Sequence, residues 1–172
     1  MNQVLPAGLV WESGITMYTD FFPADMLAGM ADAALTQEER KVTHDTLSGD
    51  PFPDPFPAAA RLVLDHTSVR AINTLVVKRY GFDEPSGAFD FHSDPEEYDG
   101  WLVLCSLGGF ATLSVIDLNV GQLELRCRAN TVVVLPAYGI PKLHRVSPPD
   151  PKFGVRPFAF FGHRSHDEPT IT

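Results

Sequence analysis

Cysteine is scarce in this chain, long apolar runs are missing, and basic residues are outnumbered. Only two cysteines occur in 172 residues, Cys105 and Cys127, each inside an apolar run. A disulfide framework needs more of them, and a zinc finger needs further Cys or His at close spacing, so both are expected to be buried thiols. No stretch approaches the ~20 apolar residues that cross a bilayer. The opening MNQVLPAGLVWESG has neither a basic n-region nor a long apolar h-region, so no membrane association and a cytoplasmic location are expected. Lys and Arg number 13 against 22 Asp and Glu, a net charge of −9. Nucleic-acid affinity comes mainly from basic side chains on phosphates, which argues against DNA or RNA as a general partner. Internal repeats and low-complexity tracts are absent as well, apart from a polar final segment.

What remains is an ordinary globular composition, 44% hydrophobic and 20% charged. The length suits a single domain over residues 1–172. Residues 1–71 read as a mixed, helical part. Pro23 suits the first position of a helix, with Met26, Leu27, Met30 and Ala34 along one face. PFPDPFP, residues 51–57, reads as an extended loop, because four prolines remove four donors. A second helix is expected from Pro57, with Leu62, Val63 and His66 on one side. From residue 72 to about 162, short β-rich runs alternate with turn signals: TLVVKRY, GAFDFHSD, WLVLCSL, FATLSVID, GQLELRC, TVVVLP, KLHRV and GVRPFAFFG. About eight such strands predict a sandwich or barrel. The fold class is therefore mainly β with flanking helices (α+β), a core able to enclose a metal or small-molecule site.

His92 and Asp94 are two residues apart on a predicted strand, so their side chains share a face. His144 lies in a later strand. Two histidines and one carboxylate on one metal leave positions open for a cosubstrate and O2, the arrangement of non-haem Fe(II) oxygenases. An HxD pair alone is also a common surface hydrogen-bonded pair. Arg156 adds specificity: it is a bidentate carboxylate binder in an otherwise apolar last strand, where the competing reading is an internal salt bridge. Lys78 and Tyr80 share one face of TLVVKRY. If that face points inward, an ammonium and a phenol join Arg156 in meeting a dicarboxylate.

The order HxD, distant His, then Arg in the last strand resembles the Fe(II)/2-oxoglutarate-dependent oxygenases, whose core is a double-stranded β-helix (jelly roll, cupin-like). AINTLVVKRYGFDEPSGAFDFHSDPEE is most similar to the AlkB-like branch, in which a strand ending Asn-Arg-Tyr precedes His-x-Asp and acidic residues. WLVLCSLGG and TVVVLP, followed by the His144 strand, continue the likeness over residues 72–162. The resemblance implies Fe(II), 2-oxoglutarate and O2 as cofactor and cosubstrates. His92, Asp94 and His144 would be the iron ligands, Arg156 and Tyr80 the residues on the distal carboxylate of 2-oxoglutarate, with Lys78 beside them. Glu96 would face the substrate.

Two positions differ from that branch. Its Asn is Lys78 here, and the second arginine of its Arg-x-Asn-x-Thr-x-Arg run is Gly162. Fewer residues precede His92 than a nucleotide-gripping lid would need. With the acidic charge, these differences favour a small-molecule substrate, hydroxylated or oxidatively dealkylated with succinate and CO2 as coproducts. The alternatives are an AlkB-like nucleic-acid dealkylase and a cupin-like metal-binding protein that does not use 2-oxoglutarate. Monomer and homodimer both remain open.

Overall fold

Runs of β-branched and aromatic residues form strands where period-2 alternation buries both of their faces. The computed structural model describes residues 8–10, 14–36, 54–81, 89–93, 98–117, 121–136 and 143–164. In chain order the elements are β1 (Leu9–Val10), β2 (Thr16–Thr19), α1 (Ala24–Thr36), α2 (Phe56–His66), β3 (Thr74–Tyr80), β4 (Tyr98–Ser106), β5 (Phe110–Asp117), β6 (Gly121–Arg128), β7 (Thr131–Pro136), β8 (Leu143–Val146) and β9 (Arg156–Arg164). A six-stranded antiparallel sheet runs β1-β2-β7-β4-β9-β3, and a three-stranded sheet runs β6-β5-β8. His92 adds an isolated antiparallel bridge to His144 of β8. From β3 onward the chain passes back and forth between the two sheets, which face each other as a jelly roll.

The larger sheet separates two cores, and the pleat decides which residue joins which. One face turns Leu75, Val77, Val103, Cys105, Val132, Val134, Ala159 and Phe161 toward α1 and α2. The other turns Val76, Leu104, Val133 and Phe160 toward Leu113, Val115, Leu125 and Cys127 of the smaller sheet. Cys105 therefore packs outward under the helices, while Cys127 faces the interior; both thiols are free and buried.

The helices form where expected, with shifted ends. The Leu27 N–H donates to the Pro23 carbonyl, so Pro23 is the cap and Ala24 the first helical residue. The end of PFPDPFP is not extended loop. Phe56 opens α2 and Pro57 lies in its first turn, where no backbone donor is needed. The buried side of α2 is Phe56, Ala59, Ala60 and Val63, which leaves His66 in solvent. Strands β1 and β2 lie in the stretch read as helical. They are two and four residues long, too short to carry a periodic signal. The expected strand GAFDFHSD reduces, among the described residues, to the single bridge at His92. Among the described residues no helix is long and apolar enough to cross a membrane.

At the β6–β7 hairpin Asn130 takes a left-handed φ of 64°, which Asn tolerates better than most residues. Its side chain accepts from the Phe22 N–H at 2.8 Å and donates to the Phe22 carbonyl at 2.9 Å. The turn thus ties the approach to α1 onto the sheet.

Phe161 is fully buried between sheet and helices, in edge-on contact with Phe56. Phe161→Ala should cost ~3–5 kcal/mol, measured as a lowered urea midpoint at unchanged slope. Burial also pushes both thiols above their usual range, Cys127 to about 11. Iodoacetamide at pH 7.5 should therefore leave native protein unlabelled and modify both cysteines once urea unfolds it.

Candidate active site

Strand pairing brings two imidazoles together. The His92 N–H donates to the His144 carbonyl at 2.9 Å and the His144 N–H to the His92 carbonyl at 2.8 Å. This reciprocal pair holds the rings with centroids 4.6 Å apart, tilted by 57°. His144 is buried and His92 exposed. His92 Nδ1 lies 3.0 Å from the Asp90 carbonyl oxygen. A carbonyl only accepts, so this contact takes a proton on Nδ1, which leaves Nε2 as the ring nitrogen available to a metal. On the neighbouring residues, the Arg145 guanidinium lies 4.5 Å from the Phe91 ring centroid, which fastens the His92 segment to β8 a second time.

The second cluster lies deeper between the sheets. Cα pairing sets Tyr80 opposite Arg156 and Lys78 opposite Phe158, so the β3 face bearing Lys78 and Tyr80 does point inward. Arg156 is 1% exposed. Its Nη1 donates to the Ser147 carbonyl at 3.1 Å, and its guanidinium sits 4.6 Å from the Tyr80 ring centroid. Lys78 Nζ is 4.5 Å from the same centroid. The Tyr80 ring thus lies against two cations, the Arg156 guanidinium and the Lys78 ammonium.

Arg156 lines a cavity of about 20 Å³, room for about one water-sized group. Leu104, Leu113, Val133 and Phe158 supply apolar walls, and Ser106 and Thr131 supply hydroxyls. Both hydroxyls are buried and make no hydrogen bond among the described residues. A buried hydroxyl left unpaired costs free energy, so this space suits an oxygen-bearing guest that satisfies two hydroxyls beside a guanidinium. Cys127 also lines it; burial raises its thiol, opposed by a Leu113 backbone hydrogen bond and by the Arg156 charge.

The residues named from sequence therefore fall into two groups. His92 and His144 meet ring to ring, and Arg156, Tyr80 and Lys78 meet further in. Asp94 and Glu96 lie outside the described residues. Among the described residues no three His, Cys, Asp or Glu side chains converge on one point, so the two imidazoles are the metal-binding donors present there. Their chemistry suits a divalent first-row metal. His144 and Ser147 are three residues apart, ~10 Å of strand, which sets the scale between imidazoles and guanidinium.

Ser106 and Thr131 were not singled out from sequence. Their signal is register: they are Cα partners, and Ser106 also pairs with Phe158, which places both hydroxyls beside Arg156. Gly108-Gly109 lies at the Arg156 end: a Cβ on Gly108 would lie 2.9 Å from Pro157, and Gly109, at φ +68°, lies over the Arg156 side chain. At Gly162, where the AlkB-like pattern has its second arginine, the Tyr98 ring fills the space: a Cβ there would lie 2.8 Å from two ring carbons.

No family model matches the chain, and no curated protein matches it in sequence. Solved structures do share its fold. One is an oxidoreductase of the 2OG-Fe(II) oxygenase family from Burkholderia pseudomallei, with TM-score 0.64 and 19% identity over 91% of this chain and 86% of that one. Another is a prolyl-4-hydroxylase from Pseudomonas putida, with TM-score 0.61 and 17% identity over 89% of this chain and 94% of that one. A third is a prolyl hydroxylase from Trichoplax adhaerens, in complex with a hypoxia inducible factor peptide fragment, with TM-score 0.59 and 11% identity over 89% of this chain and 84% of that one. The architecture is therefore that of 2-oxoglutarate oxygenase jelly rolls.

Because the Ser106 and Thr131 hydroxyls are buried without partners among the described residues, their removal should be tolerated. Ser106→Ala and Thr131→Val should change unfolding free energy by less than ~1 kcal/mol or raise it slightly, read from urea denaturation. A loss of several kcal/mol would mean that both hydroxyls are already bonded within the protein.

Proposed function

We propose that this protein is an Fe(II)- and 2-oxoglutarate-dependent dioxygenase that hydroxylates, or oxidatively dealkylates, a small-molecule substrate. The observation that carries the reading is the joint placement of two groups in one jelly roll: a pair of facing imidazoles, and a buried Arg156 lining a small, mainly apolar cavity that Ser106 and Thr131 also line. The fold shared with 2-oxoglutarate oxygenases supports it at the level of architecture.

In this reading His92 and His144 hold Fe(II), with Asp94 as the third ligand. When bound, the metal and 2-oxoglutarate supply the oxidising power, and O2 is consumed with release of succinate and CO2. The chain supplies placement and dryness. Arg156 binds the distal carboxylate of the cosubstrate, and its burial strengthens that contact. Tyr80 holds the guanidinium in position through its ring, while Lys78 adds positive charge on the same face. The Ser106 and Thr131 hydroxyls donate to the carboxylate oxygens. Leu104, Leu113, Val133 and Phe158 keep water from the carboxylate. The Asp90 carbonyl keeps the His92 proton on Nδ1. Glu96 faces the substrate.

The small-molecule assignment is supported by the net charge of −9 and by the Tyr98 ring, which packs against Gly162 where the AlkB-like pattern has an arginine. An AlkB-like dealkylase would bind a nucleic acid, and its affinity would fall steeply with salt.

Anaerobic addition of 2-oxoglutarate to the Fe(II)-loaded protein should produce the weak visible charge-transfer band of the chelate. Arg156→Met should weaken 2-oxoglutarate binding ~10–100-fold while iron still binds. His144→Ala should lose the iron. Iron binding without any band in the unaltered protein would instead support a cupin-like metal protein that makes no use of 2-oxoglutarate.

A further inference from the structure

The segment that carries His92 is lightly held. Among residues 89–93 there is no strand, only the isolated bridge from His92 to β8, and Asp90, His92 and Ser93 are exposed. Two backbone hydrogen bonds, of 2.9 and 2.8 Å, fix that one residue against His144. A segment with so few buried contacts opens at low free-energy cost. Aromatic side chains supply further anchorage. Phe91 packs against the Arg145 guanidinium, and Phe89, half-buried, packs against Tyr80.

Phe89 is where this segment meets the Arg156 cluster. The Phe89 and Tyr80 ring centroids lie 5.7 Å apart, tilted by 42°. On its other sides the Tyr80 ring meets Phe158 edge-on at 5.9 Å and the Arg156 guanidinium at 4.6 Å. A row of contacts therefore runs from Arg156 through Tyr80 to Phe89, three residues before His92. Arg156 also reaches the other imidazole strand, since its Nη1 donates to the carbonyl of Ser147, three residues after His144. The His92–His144 bridge closes this row into a ring of contacts. A carboxylate that fixes the guanidinium would fix the surface on which Tyr80 and then Phe89 rest.

We propose that Phe89 is a positioning residue: through Tyr80 it couples occupation of the Arg156 site to the placement of His92, so that cosubstrate binding steadies a metal ligand from a distance. The inference rests on the oxygenase reading, in which Arg156 takes the distal carboxylate of 2-oxoglutarate and His92 binds the iron. Phe89 touches neither; it acts by packing on Tyr80. The coupling is reciprocal, so a metal that holds His92 favours the arrangement in which Arg156 binds the cosubstrate.

The test is amide hydrogen exchange followed by NMR on the full metal-free chain, with and without 2-oxoglutarate, so that no shared metal links the two sites. In the unaltered protein 2-oxoglutarate should slow exchange at Ser147 and Arg156, which reports occupancy, and by about ten-fold at His92. In Phe89→Ala the protection at Ser147 and Arg156 should persist, while the effect at His92 falls to within about two-fold. Phe89→Tyr keeps the ring and should keep the effect. Phe89→Leu takes the place of the alanine variant if that one fails to fold. A merely structural Phe89 would change the starting exchange rates and leave the ratio with and without 2-oxoglutarate as it was. That result overturns the inference while the oxygenase reading stands, as does protection of the Arg156 end without any slowing at His92. Protection of the Arg156 end only when Mn(II) is present also overturns it, because the link then runs through the metal. If 2-oxoglutarate protects the Arg156 end neither with nor without Mn(II), the oxygenase reading fails and the inference with it.

Discussion

The pleat of β9 is the constraint on which the rest of the structure depends. This strand lies between β3 and β4 and has a core on each side. Ala159 and Phe161 belong to the helix-facing core, Phe160 to the interior one. Arg156 shares the parity of Phe160, so the packing of the two phenylalanines decides that a guanidinium is carried inward. A slip of one residue would send Arg156 toward the helices and bring Ala159 and Phe161 into the cavity. Burial of Phe161 and placement of Arg156 are therefore one structural decision, enforced by the full seven-residue ladder from Thr74↔Gly162 to Tyr80↔Arg156.

Around that strand, polar groups are placed by backbone pairing more than by contacts between side chains. His92 reaches His144 because two main-chain hydrogen bonds bring their residues side by side. Arg156 is aimed by a main-chain carbonyl, that of Ser147, and by an aromatic ring. Ser106 and Thr131 meet because β4 and β7 are in register. Such a scaffold sets positions without spending the side-chain donors and acceptors that a ligand would use. Ser106 and Thr131 are the clearest case, since both are buried with unused hydrogen-bonding capacity among the described residues.

Much of this was legible from residue types. Turn residues mark the ends of β6 and β7 closely, because Gly121 and Asn130 take left-handed φ at the start of β6 and in the β6–β7 turn, and Pro136 lacks a donor to carry β7 further. The HxD spacing drew attention to His92 and a distant strand histidine to His144, and an arginine inside an apolar run drew attention to Arg156, because such a residue is rarely buried without a role. Other features were not legible, for physical reasons. Strands β1 and β2 are too short to show a period. GAFDFHSD alternates like a strand, yet among its described residues only His92 pairs, since pairing depends on a partner distant in sequence. Ser106 and Thr131 looked like ordinary strand hydroxyls, and only register across β4 shows them facing Arg156. The inward face of β3 put Tyr80 beside Arg156 as its position suggested, while the ring contact between them depends on register across β3 and β9. Asp94 and Glu96 lie outside the described residues.

The most direct test of the central claim is a crystal structure of the protein with Mn(II) in place of Fe(II) and 2-oxoglutarate, using anomalous scattering to locate the metal. The account predicts a metal bound by His92 and His144, with the distal carboxylate of 2-oxoglutarate on the Arg156 guanidinium and the hydroxyls of Ser106 and Thr131. A metal bound elsewhere, or a cosubstrate that leaves Arg156 untouched, would contradict it.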